Sequence, residues 1–172
     1  MWCSDQAPEY FAELLALSPD EQVSRCRSFF HKKTPRALIS RCNARVDKVI
    51  GITPWSPHLS SSSGFTVVES DEDPWYGSAL VRGTVDVKKK SLTIYKKALE
   101  ELGSACQAAG LTMPCPLKDI MLAHEAFHIL DPRCPSDLAE TSAHLYATRI
   151  HSLSFYAGIL DILQVSHRNP QG

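Results

Sequence analysis

The chain has 172 residues, 44% of them hydrophobic, and a formal net charge of −1. That apolar content suffices for one core and is short for two, so a single domain over residues 1–172 is expected. The near-neutral balance argues against a polyanion-binding surface, because the clusters Lys88-Lys89-Lys90 and Lys96-Lys97 are short and are offset by Glu69, Asp71, Glu72 and Asp73.

The start, Met1-Trp2-Cys3-Ser4-Asp5, lacks a basic region followed by an apolar run, and no segment approaches the roughly 18 apolar residues of a membrane span. A cytoplasmic protein without membrane association is expected. Six cysteines, Cys3, Cys26, Cys42, Cys106, Cys115 and Cys134, form no C-x-x-C pair and read as reduced thiols.

Residues 1–52 read as a helical part. Ser4 or Asp5 can cap a first helix striped by Tyr10, Phe11, Leu14 and Leu15 and ending near Leu17. Ser18-Pro19-Asp20-Glu21 has the capping-box pattern with proline in the first turn, and Thr34-Pro35 gives a similar start to a third helix that Gly51 should stop. Three short helices raise a helix-turn-helix reading, but the cationic run from Arg36 to Lys48 is sparse and interrupted by Asp47, so no nucleic-acid partner is expected. Thr53 to Gly64, with Pro54, Pro57 and four serines before the glycine, reads as a loop.

Residues 65–95 read as a small sheet. Phe65 to Val68 is a strand, Glu69 to Pro74 an acidic turn, and Ala79–Val87 with Ser91–Tyr95 an antiparallel hairpin turning at Lys88-Lys89-Lys90. Residues 96–165 read as helices again. One runs from about Lys97 to Ala109 and meets Gly110; a second, with Pro116 in its first turn, closes at Asp131-Pro132; a third starts at Ser136 or Asp137; a fourth spans Phe155 to Val165, before a frayed polar tail from Ser166.

The second of these helices carries His124-Glu125-Ala126-Phe127-His128. Residues four apart on a helix lie about 40° apart around its axis and roughly 6 Å along it, so both imidazoles can reach one metal ion. Glu125 lies beside them, where a carboxylate can take a proton from an activated water. A hydrolytic zinc needs a third protein ligand. Glu140, twelve residues past His128, is favoured, with Asp131, Cys134 and His144 as rivals. His144 follows Glu140 by one turn, and its other possible role is to bond the ligand carboxylate or a reacting oxyanion. The bland alternative makes Glu140 the N3 member of a capping box after Asp137. His31, His58, His151 and His167 read as surface or satisfied histidines, Trp2, Trp55 and Trp75 as packing residues, and Tyr146 and Tyr156 as core.

The pair of motifs, His124-Glu125-Ala126-Phe127-His128 and Glu140-Thr141-Ser142-Ala143-His144-Leu145-Tyr146-Ala147, resembles the ImmA/IrrE-like gluzincins, bacterial and phage-borne regulatory metallopeptidases. The resemblance covers about Gly83 to Ile150, with Ala126-Phe127 departing from the glycine that many members place before the second histidine. It implies an α+β, zincin-like fold, mostly helical with a hairpin before the motif helix. It also implies zinc held by His124, His128 and Glu140, Glu125 as general base, and a protein or peptide substrate such as a transcriptional repressor. Two other readings stand beside a metallopeptidase: a zinc-binding interaction module that does not cleave its partner, and a metal-free helical protein.

Overall fold

The computed structural model describes residues 7–52, 64–72, 75–76 and 79–168. The expected cap at Ser4 or Asp5, the loop from Thr53 to Ser63, part of the acidic turn, Cys3, Trp2, Trp55, His58 and the last four residues lie outside them.

The N-terminal helices are α1 (Ala7–Ala16), α2 (Pro19–Phe29) and α3 (Arg36–Ile52). The capping box forms as the sequence requires: the Glu21 backbone N–H donates to Ser18 Oγ, and the Ser18 backbone N–H donates to Glu21 Oε2 at 3.0 Å. Gly51 does not stop α3, which runs through it to Ile52; a lone glycine weakens a helix by only about 1 kcal/mol.

The sheet departs from a simple hairpin. Strands β1 (Thr66–Ser70), β4 (Gly83–Asp86) and β5 (Ser91–Tyr95) form a mixed sheet in the order β1-β5-β4. β4 and β5 pair antiparallel, with Thr84 opposite Thr93, whereas β1 pairs parallel to β5, with Val68 opposite Thr93. The expected long strand Ala79–Val87 is broken. Its first two residues, β3 (Ala79–Leu80), pair instead with β2 (Trp75–Tyr76), and the chain turns at Val81-Arg82. The Arg82 carbonyl still accepts from the Tyr95 backbone N–H at 3.0 Å, while its side chain pairs with Asp161, a partner 79 residues distant that no local pattern reveals.

Helices α4 (Lys96–Ala108), α5 (Leu117–Leu130), α6 (Ser136–Ile150) and α7 (Ile159–Arg168) complete the order. Gly110, at φ 68°, follows α4 in the left-handed region that glycine occupies without strain. α6 begins at Ser136 as expected, with Pro135 at its N-cap, and Pro116 stands at the N-cap of α5 rather than inside its first turn. The last helix forms over the second part of the expected Phe155–Val165: Phe155 to Gly158 are non-helical, α7 begins at Ile159, and it continues past Val165 to Arg168, which is paired with Glu101 on α4.

α5 packs against α6, α3 against α6, and α4 against α7. Phe127, Tyr146, Leu138, Ile159 and Ile162 centre the main core, and Leu92, Ile94 and Met121 make a second cluster where the sheet meets α5. The fold is therefore α+β and mostly helical, and among the described residues no helix is long and apolar enough to cross a membrane.

One buried amide ties the first helices to the turn before α7. Gln22, 1% exposed, donates to the carbonyls of Leu15 (3.3 Å) and Leu17 (3.0 Å) and accepts from the Tyr156 backbone N–H at 2.6 Å. Gln22→Ala strands these buried groups. It is expected to lower the unfolding free energy by about 3 kcal/mol, read from the urea midpoint.

Candidate metal centre

α5 presents its motif on the face turned toward α6. Because α5 must bury Ile120, Ala123 and Phe127 in the main core and Met121 under the sheet, His124, Glu125 and His128 fall along the seam between those contacts. The chain leaves α5 at Asp131 with non-helical geometry, crosses Pro132 to Pro135, and returns as α6 with Glu140 one turn in. No side-chain cap forms at the start of α6, so Glu140 is not spent on a capping box.

Glu140 straddles the two imidazoles. Its Oε2 lies 3.5 Å from His124 Nε2 and its Oε1 3.5 Å from His128 Nε2. Ligand atoms about 2.0–2.1 Å from a tetrahedral zinc are separated from one another by roughly 3.3 Å, so the spacing suits one ion bound between them. The three ligand atoms lie within 4.8 Å of one another, and no other such group occurs among the described residues. His124 is buried, His128 half-buried, and more than half of the Glu140 side chain faces solvent at the mouth of the cleft.

The rivals for third ligand are engaged elsewhere or lie outside this group. Asp131 is buried in a salt bridge with Arg45 at 3.1 Å, Cys134 lies outside the ligand group, and His144 turns its Nε2 to Asp161 Oδ2 at 3.3 Å. His144 does stack beside His124, with ring centroids 4.5 Å apart. Of the two tyrosines, Tyr146 packs on Phe127 in the core, and Tyr156 is buried with its ring edge toward His144.

No protein-family model, curated protein or solved structure matches the chain. What the centre can do follows from its own side chains.

Charge is distributed unequally among them. Hydrogen bonding to His124 holds the Glu140 carboxyl down at about 2 against the opposing effect of burial, so it is anionic across the physiological range. Burial works against a charged His124, but Glu140, Glu125 and Asp161 outweigh it and raise its pKa; burial and the neighbouring His124 lower that of His128. Glu125 moves the other way from Glu140. Burial raises its pKa, with His124 and Arg82 offsetting only part of the rise, which brings it toward the range a general base uses.

A cleft of about 750 Å³ opens over these groups. Its floor is His124, Glu125, His128 and Glu140, and its walls come from β4, from Phe30 after α2, and from Asp161, Gln164 and Val165 on α7. Sequence reading missed the α7 wall and Arg82. The available signal was Asp161 itself, a lone carboxylate inside the apolar run Gly158-Ile159-Leu160-Asp161-Ile162-Leu163; nothing local marked Arg82.

Proposed function

We propose that the protein is a zinc metallopeptidase of gluzincin type with a zincin-like fold, as the resemblance to the ImmA/IrrE-like family suggests. The observation that carries this is the convergence of His124, His128 and Glu140 beside a buried Glu125 in an open cleft. A purely structural site has no use for that carboxylate.

His124, His128 and Glu140 would hold the ion. When bound, zinc supplies Lewis acidity toward water and toward the scissile carbonyl. Glu125 takes a proton from the attacking water and delivers it to the leaving amine nitrogen. His144, lining the same cleft, is assigned the negative charge that develops on the carbonyl oxygen. β4 is the edge strand on this side of the sheet, and Thr84, Val85 and Val87 line the cleft. A substrate segment is proposed to add to that edge as an extended strand, its backbone hydrogen bonds aligning the scissile bond. A regulatory protein such as a repressor is the proposed substrate.

Gly83 on β4 makes room for the base. A Cβ built there would lie 3.1 Å from both Cγ and Oε1 of Glu125. Gly83→Ala is therefore expected to displace the carboxylate and to lower the hydrolysis rate by up to about 100-fold, with zinc content unchanged.

The reading is tested with zinc-loaded protein and a tryptic digest of a bacterial proteome, scored by mass spectrometry for new peptide termini. Termini that depend on zinc and vanish with 1,10-phenanthroline are expected. A library left intact by protein carrying one zinc per chain would favour the non-cleaving interaction module.

A further inference from the structure

A histidine that binds a metal through one ring nitrogen is ordinarily oriented by a hydrogen bond on the other, to a carboxylate, a backbone carbonyl or water. His128 stands toward the cleft mouth, but His124 is buried, and its Nδ1 has no hydrogen-bond partner among the described residues. Something else must fix the plane of that ring. Two rings pack against it: His128, a fellow candidate ligand, at 5.2 Å, and His144, nearer at 4.5 Å and tilted by 56°.

His144 in turn is held from behind. Asp161 on α7 places Oδ2 3.3 Å from His144 Nε2, an ion-pair contact not aligned as a hydrogen bond, and the other carboxylate oxygen accepts from the Arg82 guanidinium. The Arg82 side chain is 10% exposed, so this ion pair is largely shielded from solvent and screened little by salt. Burial pushes the Asp161 carboxyl up, but Arg82 and His144 outweigh it and hold it well below the usual carboxylate range, which keeps it an acceptor. Three elements meet in this chain of contacts: the turn before β4, α7 and α6.

We propose that Asp161, anchored by Arg82, is a positioning residue for the metal centre: it fixes His144, and the His144 ring fixes His124, in place of the missing bond to His124 Nδ1. The proposal rests on the zinc reading above and not on peptidase activity. It gives the Arg82-Asp161 pair, which lines the cleft, a task at the candidate metal ligands.

The test measures zinc affinity of the full chain by competition with a chromophoric chelator, together with the visible spectrum of the cobalt(II)-loaded protein as a report of ligand geometry. Asp161→Ala is expected to weaken zinc binding 10–100-fold, the usual effect of losing an outer-shell partner, and to alter the cobalt bands; it also breaks the shielded pair with Arg82 and lowers the melting temperature, so affinity is read on folded protein well below that temperature. Asp161→Asn, whose amide oxygen keeps the contact with His144, is expected to restore affinity to within about threefold. His144→Phe keeps a ring against His124 but cuts the link, so adding Asp161→Ala to it should change affinity no further.

Wild-type affinity and spectrum in Asp161→Ala would overturn the proposal. So would equal weakening in Asp161→Asn and Asp161→Ala, since that pattern belongs to charge alone. If Asp161→Ala fails to fold, Asp161→Ser, whose hydroxyl is too short to reach His144, decides in the wild-type and His144→Phe backgrounds: a loss in the first and none in the second is expected, and equal losses in both would mean that Asp161 does not act through His144. A wild-type protein that binds no zinc would overturn the metal reading itself, an outcome distinct from the others.

Discussion

Glu125→Gln is expected to lower zinc-dependent peptide hydrolysis by about 10²–10⁴-fold, the range a positioned general base contributes, while leaving one zinc per chain. The amide matches the carboxylate in shape and is compatible with the contact at Gly83, so His124 and His128 keep their places. It cannot accept a proton from water. Burial already raises the Glu125 carboxyl above its ordinary value, and a base needs that shift to hand the proton on to a leaving amine. Metal content by emission spectroscopy and turnover of a cleaved peptide from the proteome digest are the two measurements. Hydrolysis that persists at the wild-type rate in the variant would remove Glu125 from the chemistry and leave the base to be sought elsewhere in the cleft.

The second large effect is on the metal. Glu140→Ala is expected to weaken zinc binding by more than the roughly 10–100-fold that a lost outer-shell partner costs, because it removes a ligand outright. Glu140 is the only member of the group from α6, so its loss leaves two imidazoles on one helix with an open flank. Asp131→Asn, by contrast, breaks a buried salt bridge with Arg45 and should cost folding stability with little change in zinc affinity. Isothermal titration on the two variants separates the roles. Zinc held at wild-type affinity by Glu140→Ala would return the third ligand to the other candidates.

How far the sequence speaks depends on the range over which its signals act. Ser18 with Glu21 is a contact three residues long, and it forms as written. The His124-His128 spacing and the return of Glu140 on the next helix are similarly local, and they converge. The pairing of β4 with β5 follows from alternation across a short turn. The parallel partner β1 does not, because the intervening residues carry no mark of which edge β1 will choose. The break at Val81-Arg82 is hidden for the same reason: Val85 and Val87 alternate with polar neighbours, while the pairing of Ala79 and Leu80 with Trp75 and Tyr76 leaves no mark in that alternation. At the end of the chain, apolar content alone put Phe155 in a helix. Phe155 and Tyr156 are indeed buried, but in turns, because burial by itself does not distinguish a turn from a helix.

The wall that α7 lends to the cleft bears on the order in which the protein is made. A chain leaving the ribosome exposes His124, His128 and Glu140 before Asp161, Gln164 and Val165. At synthesis rates of about 5–20 residues per second, the 21 residues from Glu140 to Asp161 take roughly 1–4 s. During that interval the nascent chain has its metal-binding side chains and no finished groove. Because Ile159 and Ile162 of α7 also belong to the main core, the groove wall and the core are completed together, after the candidate ligands have emerged.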